Sequence, residues 1–187
     1  MAKLPQRAKG NPQASIKVIE FIDFQCPACA HGAKLLHEYF DKYPGRFYLE
    51  LRYYPLAMHS HGMLSARWGE CAARQEKFWP FFDLLIDRQM EWSVMTDPVP
   101  SFEAVAKQAG LNQGKANACL QDSSVDQTIQ TDVEEGKLRA VSSTPSYFIN
   151  DEMLVGVKSL KMKLDGLLGI KADPQPVSPS PVPAQKP

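Results

Sequence analysis

Residues 15–29 read SIKVIEFIDFQCPAC, and this stretch decides the fold. Ile16, Val18, Glu20 and Ile22 fall on one face of an extended chain, with Lys17, Ile19, Phe21 and Asp23 on the other. Apolar residues on both faces predict a strand buried in the middle of a sheet. Glu20 is the anomaly, because a buried carboxylate is costly unless paired or protonated. The alternative is an edge position from which it reaches solvent. Cys26-Pro27 then opens a helix, where the missing proline N–H has no partner to lose. Ala33, Leu36 and Phe40 carry that helix to about Tyr43, and Pro44-Gly45 stops it. Residues 46–54 (RFYLELRYY) alternate as a second strand, so the first third is a βαβ unit.

Around this unit the chain has 187 residues, one domain of ordinary size with a tail. Its 21 basic and 21 acidic residues cancel, which gives no global field for nucleic acid or an anionic membrane. Apolar residues make up 44% and charged residues 22%, a soluble, globular composition. No apolar run reaches the roughly 18 residues of a spanning helix. The opening Met-Ala-Lys-Leu-Pro lacks the apolar core of a signal peptide. Two readings follow: a cytosolic protein, or one whose signal or anchor segment was removed and a start Met added. Residues 1–14 read as an N-terminal arm or loop. The middle, 57–140, reads as helical: Leu64, Trp68, Cys71 and Ala72 form one stripe, Phe78, Phe82, Leu85 and Ile86 a second, and Val125, Ile129 and Val133 a third. Ser101 and Asn112 are placed to cap two short helices, the first ended by Gly110. Residues 146–150 and 153–155 read as a β-hairpin, followed by a helix over 159–168 with Leu160, Leu164, Leu167 and Leu168 inward. The tail, 171–187, is Pro-rich and expected to be extended and flexible.

A C-x-x-C at the end of a strand and the start of a helix is a redox dithiol by position. The helix N-terminus favours negative charge, so Cys26 is expected as the thiolate nucleophile. Cys29, one turn inside, is expected to resolve the mixed disulfide. Haem attachment would need His directly after the second cysteine, where Ala30 stands. A zinc site would need a second close ligand pair, and Cys71 and Cys119 are too scattered for one. Met58, His59, His61 and Met63 have soft-metal chemistry, but their place in a polar loop reads as a solvated connector. His31 and His37 read as surface residues. Thr144-Pro145, before a strand, is a natural place for a cis peptide bond; a trans proline leading the strand is the alternative.

Together the order strand–CPAC–helix–strand, helical insertion, TPSYFIN hairpin and final helix resembles the DsbA-like branch of the thioredoxin superfamily, over about residues 10–170. The resemblance implies an α/β thioredoxin fold, built from 15–56 and 141–170, with a helical domain inserted at 57–140. It implies that Cys26 and Cys29 are catalytic, that Pro145 is the cis-proline facing them, and that Glu20 is the buried acid that relays a proton for Cys29. Pro27, Ala28, Thr144 and Ser146 would meet the substrate, with the client backbone pairing at the strand start after Pro145. The family's histidine beside the nucleophile is missing from Pro27-Ala28, which predicts a less depressed thiol and a less oxidising couple. A second bridge in relatives suggests a structural disulfide, Cys71–Cys119; two buried free thiols are the alternative. The implied activity is the introduction of disulfides into reduced, unfolded clients, in a periplasmic or otherwise extracytoplasmic space. A reductase or isomerase, or a copper-binding module, would use the same residues. No cofactor or metal is expected. The expected partners are client polypeptides and a membrane quinone-linked re-oxidase of the DsbB or VKOR type, with no nucleic acid and a monomeric state.

Overall fold

The computed structural model describes residues 5–170. Strand β2 (Ile16–Ile22) lies at the centre of a five-stranded sheet of order β1-β3-β2-β4-β5. It pairs in parallel with β3 (Phe47–Tyr53) and antiparallel with β4 (Ser146–Ile149). This is the strand whose two apolar faces predicted burial, and Glu20 within it is 1% exposed, which removes the edge alternative. Helix α1 (Pro27–Lys42) makes the crossover between β2 and β3. At the far side, β4 turns into β5 (Glu152–Val155) through Asn150 and Asp151, both at positive φ, where short polar side chains are tolerated. Helix α8 (Gly156–Leu168) follows at once and packs on α1.

Residues 8–10, expected within an arm, instead form β1 (Ala8–Gly10), antiparallel to β3. Side chains explain why this end is held. The Arg7 guanidinium pairs with Asp132 and lies 4.3 Å from the centre of the Tyr53 ring. Trp79 Nε1 donates to Ala8 O at 3.0 Å, and Lys9 Nζ sits 4.2 Å from the Trp79 ring centre. A charged side chain over an aromatic face is favourable, most of all where water is scarce.

Between β3 and β4 come six helices: α2 (Gly62–Arg74), α3 (Phe78–Asp87), the short α4 (Gln89–Trp92), α5 (Val99–Gln108), α6 (Gln113–Leu120) and α7 (Ser123–Leu138). The aromatic run of α3 is core: Phe78, Phe81 and Phe82 are buried, and Phe24 packs its ring against Phe78, Phe82 and Tyr53. The helices and the sheet thus share one apolar cluster. Asn112 caps α6 by accepting from Lys115 N. Ser101 does not cap α5, which begins two residues earlier, where Asp97 accepts from Val99 N at 3.0 Å. Leu160 and Leu164 of α8 are buried but Leu167 is exposed, because the last turn swings it off the stripe that 160, 164 and 168 make at fourfold spacing. Cys71 on α2 is bonded to Cys119 on α6 across 48 residues of sequence. Closing a loop of that length constrains the unfolded chain by about 4 kcal/mol in the chain-entropy model. Among the described residues no helix is long and apolar enough to cross a membrane. The Pro-rich tail lies outside the described residues.

Candidate active site

The two cysteines of the C-x-x-C are placed by the end of β2. Cys26 is the N-cap of α1 with Pro27 at its first position, and Cys29 N donates to Cys26 O at 3.0 Å. The approach to the cap is fixed by Asp23, whose carboxylate is buried. One oxygen accepts from Gln25 N at 2.8 Å; the other accepts from Leu56 N at 2.8 Å and meets His59 Nδ1 at 2.7 Å. The helical insertion holds the same loop from above. Gln89 of α4 donates to Phe24 O at 2.7 Å and to Cys26 O at 2.9 Å. Gln25 donates to Ser93 O at 3.0 Å and accepts from His61 N at 2.6 Å. Asp23, Gln25 and Gln89 are residues that sequence reasoning passed over. Asp23 had a signal, a carboxylate three positions before Cys26. Gln89 had none, since its role depends on where α4 docks.

Cys26 and Cys29 are both free thiols and differ in setting. Cys29 is fully buried, and burial pushes its pKa well above 9.0, with Cys26 beside it adding to the shift. Cys26 is 7% exposed and its pKa falls from 9.0 to about 5. The Cys29 thiol donating to its sulfur is the largest cause, partly opposed by burial. The Thr144 hydroxyl and the backbone N–H groups of Cys29 and Ala28 add to the lowering. No imidazole enters, since Pro27 and Ala28 separate the cysteines.

Opposite Cys26 stands Thr144-Pro145, joined by a cis peptide bond, with Cys26 Sγ 3.4 Å from Thr144 O. Ser146, expected to meet substrate, is wholly buried: its position pairs with Phe21 on one side and Val155 on the other, and its hydroxyl donates to Ser143 O. With β4 sandwiched between β2 and β5, no backbone is open after Pro145. The open backbone comes before it, at Thr144, whose N–H has no hydrogen-bond partner among the described residues. Pro27 is exposed and Ala28 half-buried at the rim.

Glu20 lies under the dithiol. Burial raises its pKa from 4.5 to about 8, moderated by the charge of Lys9 and by Tyr147. The soft-metal reading of residues 58–63 has a different outcome from a solvated connector: the His59 ring is held by buried Asp23, and His61 Nε2 meets Met95 O at 2.8 Å. Both imidazoles serve to fasten this loop to the active-site loop and to the segment after α4. His37 faces Asp83 at 3.2 Å and His31 is exposed.

Comparison with known proteins places these features in a family. A family model described as Thioredoxin matches residues 3–165. In shape the chain is similar to BdbD from Bacillus subtilis in its oxidised form (TM-score 0.74, 17% identity, 88% of this chain and 94% of that one). It is likewise similar to the thiol-disulfide exchange protein alpha-DsbA2 from Wolbachia pipientis (TM-score 0.71, 20% identity, 86% of each chain). In sequence it is 28% identical over 150 residues to the Na(+)/H(+) antiporter NhaA of Herminiimonas arsenicoxydans, over 79% of this chain and 23% of that protein. The chain spans about a quarter of the length of the curated relatives it matches.

Proposed function

Because the chain belongs to the thioredoxin family, with the fold of DsbA-like proteins, we propose that it is a thiol-disulfide oxidoreductase that oxidises reduced, unfolded polypeptides. The observation that carries this reading is the inequality of the two thiols: Cys26 held near pKa 5 and Cys29 pushed far above its usual value, one helical turn apart. A couple whose attacked cysteine is stable as a thiolate gives up its disulfide readily.

In the oxidised protein a client thiolate attacks Cys26 Sγ. The Cys26–Cys29 bond breaks, a client–Cys26 disulfide forms, and Cys29 leaves as a thiolate. Glu20, mostly protonated at neutral pH, supplies the proton that Cys29 needs, and becomes a carboxylate. A second client thiolate then attacks the client sulfur of the mixed disulfide. The client gains its disulfide and Cys26 departs as the stable thiolate, so two electrons have passed to the dithiol. Thr144 offers its backbone to the client chain as an added strand, a mode that binds without regard to sequence. An external disulfide oxidant must restore the cycle, and a membrane quinone-linked partner of the DsbB or VKOR type fits that need. Its disulfide meets the Cys26 thiolate, Glu20 takes the Cys29 proton, and Cys29 closes the bond. The Cys71–Cys119 bridge supports an oxidising, extracytoplasmic setting for this monomeric domain. In the much longer NhaA relatives, this reading concerns only the matched segment.

The test is to mix oxidised protein with reduced, unfolded ribonuclease and follow free thiols and regained nuclease activity. The expected result is loss of two client thiols per protein molecule, abolished by Cys26→Ser. Absence of client oxidation, with catalysed insulin reduction by the same protein, would replace the oxidase with a reductase.

A further inference from the structure

Tyr147 is the direct cross-strand partner of Glu20 in the β2–β4 ladder, so the two side chains stand on the same face of the sheet, beneath α1. Both are buried, and the Tyr147 hydroxyl lies close enough to Glu20 to help hold its pKa down, yet neither that hydroxyl nor Glu20 Oε1 makes an aligned hydrogen bond to any described residue. A phenylalanine would fill the same ring space, so packing does not account for the hydroxyl, and an unpaired buried hydroxyl costs stability. The space it occupies is opened by Gly32 on α1: a Cβ there would stand 2.0 Å from the Tyr147 oxygen. Sequence, strand register and helix packing thus make room for one oxygen atom beside a buried acid and the resolving thiol.

We propose that Tyr147 is a positioning residue for the Glu20 carboxyl, its hydroxyl turning to donate a hydrogen bond to Glu20 when that group ionises on giving its proton to Cys29. The inference rests on the proposed exchange reaction. In the step it serves, Cys29 leaves as a thiolate, takes the proton and becomes a thiol, and negative charge moves to Glu20 in a site closed to water. Lys9 from β1 faces that charge, Cys26 and Cys29 face it from α1, and the β3 residue opposite Glu20 is the apolar Leu51. Tyr147 is therefore the nearby neutral donor from β4. Its own ionisation is pushed far upward by burial and then by Glu20, so it keeps its proton throughout the working pH range.

The test is the titration of Glu20, read from its side-chain carboxyl carbon in isotope-labelled full-length protein. Removing a donor to the ionised form raises a carboxyl pKa, so Tyr147→Phe should move the Glu20 midpoint up by about one unit. Gly32→Ala, which displaces the hydroxyl, should shift it the same way, and adding Gly32→Ala to Tyr147→Phe should add nothing. A midpoint within a few tenths of a unit of wild type in Tyr147→Phe, or one that falls, overturns the proposal. A purely structural hydroxyl would change the melting temperature of Tyr147→Phe and leave the titration alone. The reading is separable from the proposed function: loss of the latter shows as absent client oxidation in both proteins, whatever Glu20 does.

Discussion

Lowering the pH from 7 to 4.5 should weaken the reduced protein relative to the oxidised one. Cys26 titrates near 5 in the folded chain and near 9.0 when unfolded. For a depressed pKa the stabilisation is complete above the unfolded value, shrinks as pH falls between the two, and is gone below the folded value. At pH 7, two units above the folded midpoint, it is worth about 2.7 kcal/mol at 1.36 kcal/mol per unit. Partial screening by solvent around Cys26 trims this to about 1–2.5 kcal/mol. At pH 4.5 only a few tenths of a kcal/mol would be left. Glu20 acts in the opposite sense: its raised pKa stabilises the fold below about 4.5, and that support is lost as pH rises through about 8. Glu20 is present in both redox forms, so subtracting the oxidised protein cancels its contribution to first order. The assay is urea unfolding of oxidised protein and of protein reduced with limiting dithiothreitol, at both pH values. A stability gap independent of pH, or one that favours the reduced form more in acid, would refute the assignment of the low pKa to Cys26.

Cys29→Ala, which has no Cys26–Cys29 disulfide to give, should oxidise no client; its Cys26 thiolate should instead attack a disulfide-bonded polypeptide and stay joined to it, because no Cys29 remains to release the mixed disulfide, a mass adduct visible on a non-reducing gel. Glu20→Gln should stabilise the protein by roughly 2–3 kcal/mol at pH 7 by deleting a buried acid, and slow Cys29-dependent disulfide closure about 100-fold, as chemical denaturation and stopped-flow re-oxidation would measure. Paired Cys71→Ser and Cys119→Ser changes should cost up to about 4 kcal/mol in denaturant unfolding without altering the Cys26–Cys29 potential. Gln89→Ala should cost about 2–3 kcal/mol in the same assay, because Phe24 O and Cys26 O each lose a buried donor.

The fold was legible because the decisive features are local. A strand apolar on both faces, a proline at the first helical position and a Pro-Gly stop are properties of neighbouring residues, and they led to the βαβ unit and to the place of Cys26 at the helix start. Residues 8–10 were misread because three polar or small residues form β1 only when β3 is there to pair with and Arg7 finds Asp132, 125 residues away. The site divides in the same way. Cys26, Cys29, Pro145 and the oddity of Glu20 could be picked out from spacing and resemblance. The Asp23–His59 contact, the hold of Gln89 on the loop and the gap at Gly32 arise only when separate elements are packed together. The burial of Ser146 between β2 and β5 is likewise invisible from the strand start that the proline marks, because it depends on the hairpin folding back.

The most direct measurement of the central claim is the reduction potential of the Cys26–Cys29 pair, from equilibration in glutathione buffers with Cys71 and Cys119 changed to serine. A Cys26 thiolate stabilised as the structure describes predicts a value above about −200 mV, that of a disulfide donor. A value near about −270 mV, in the range of a reductant, would contradict it.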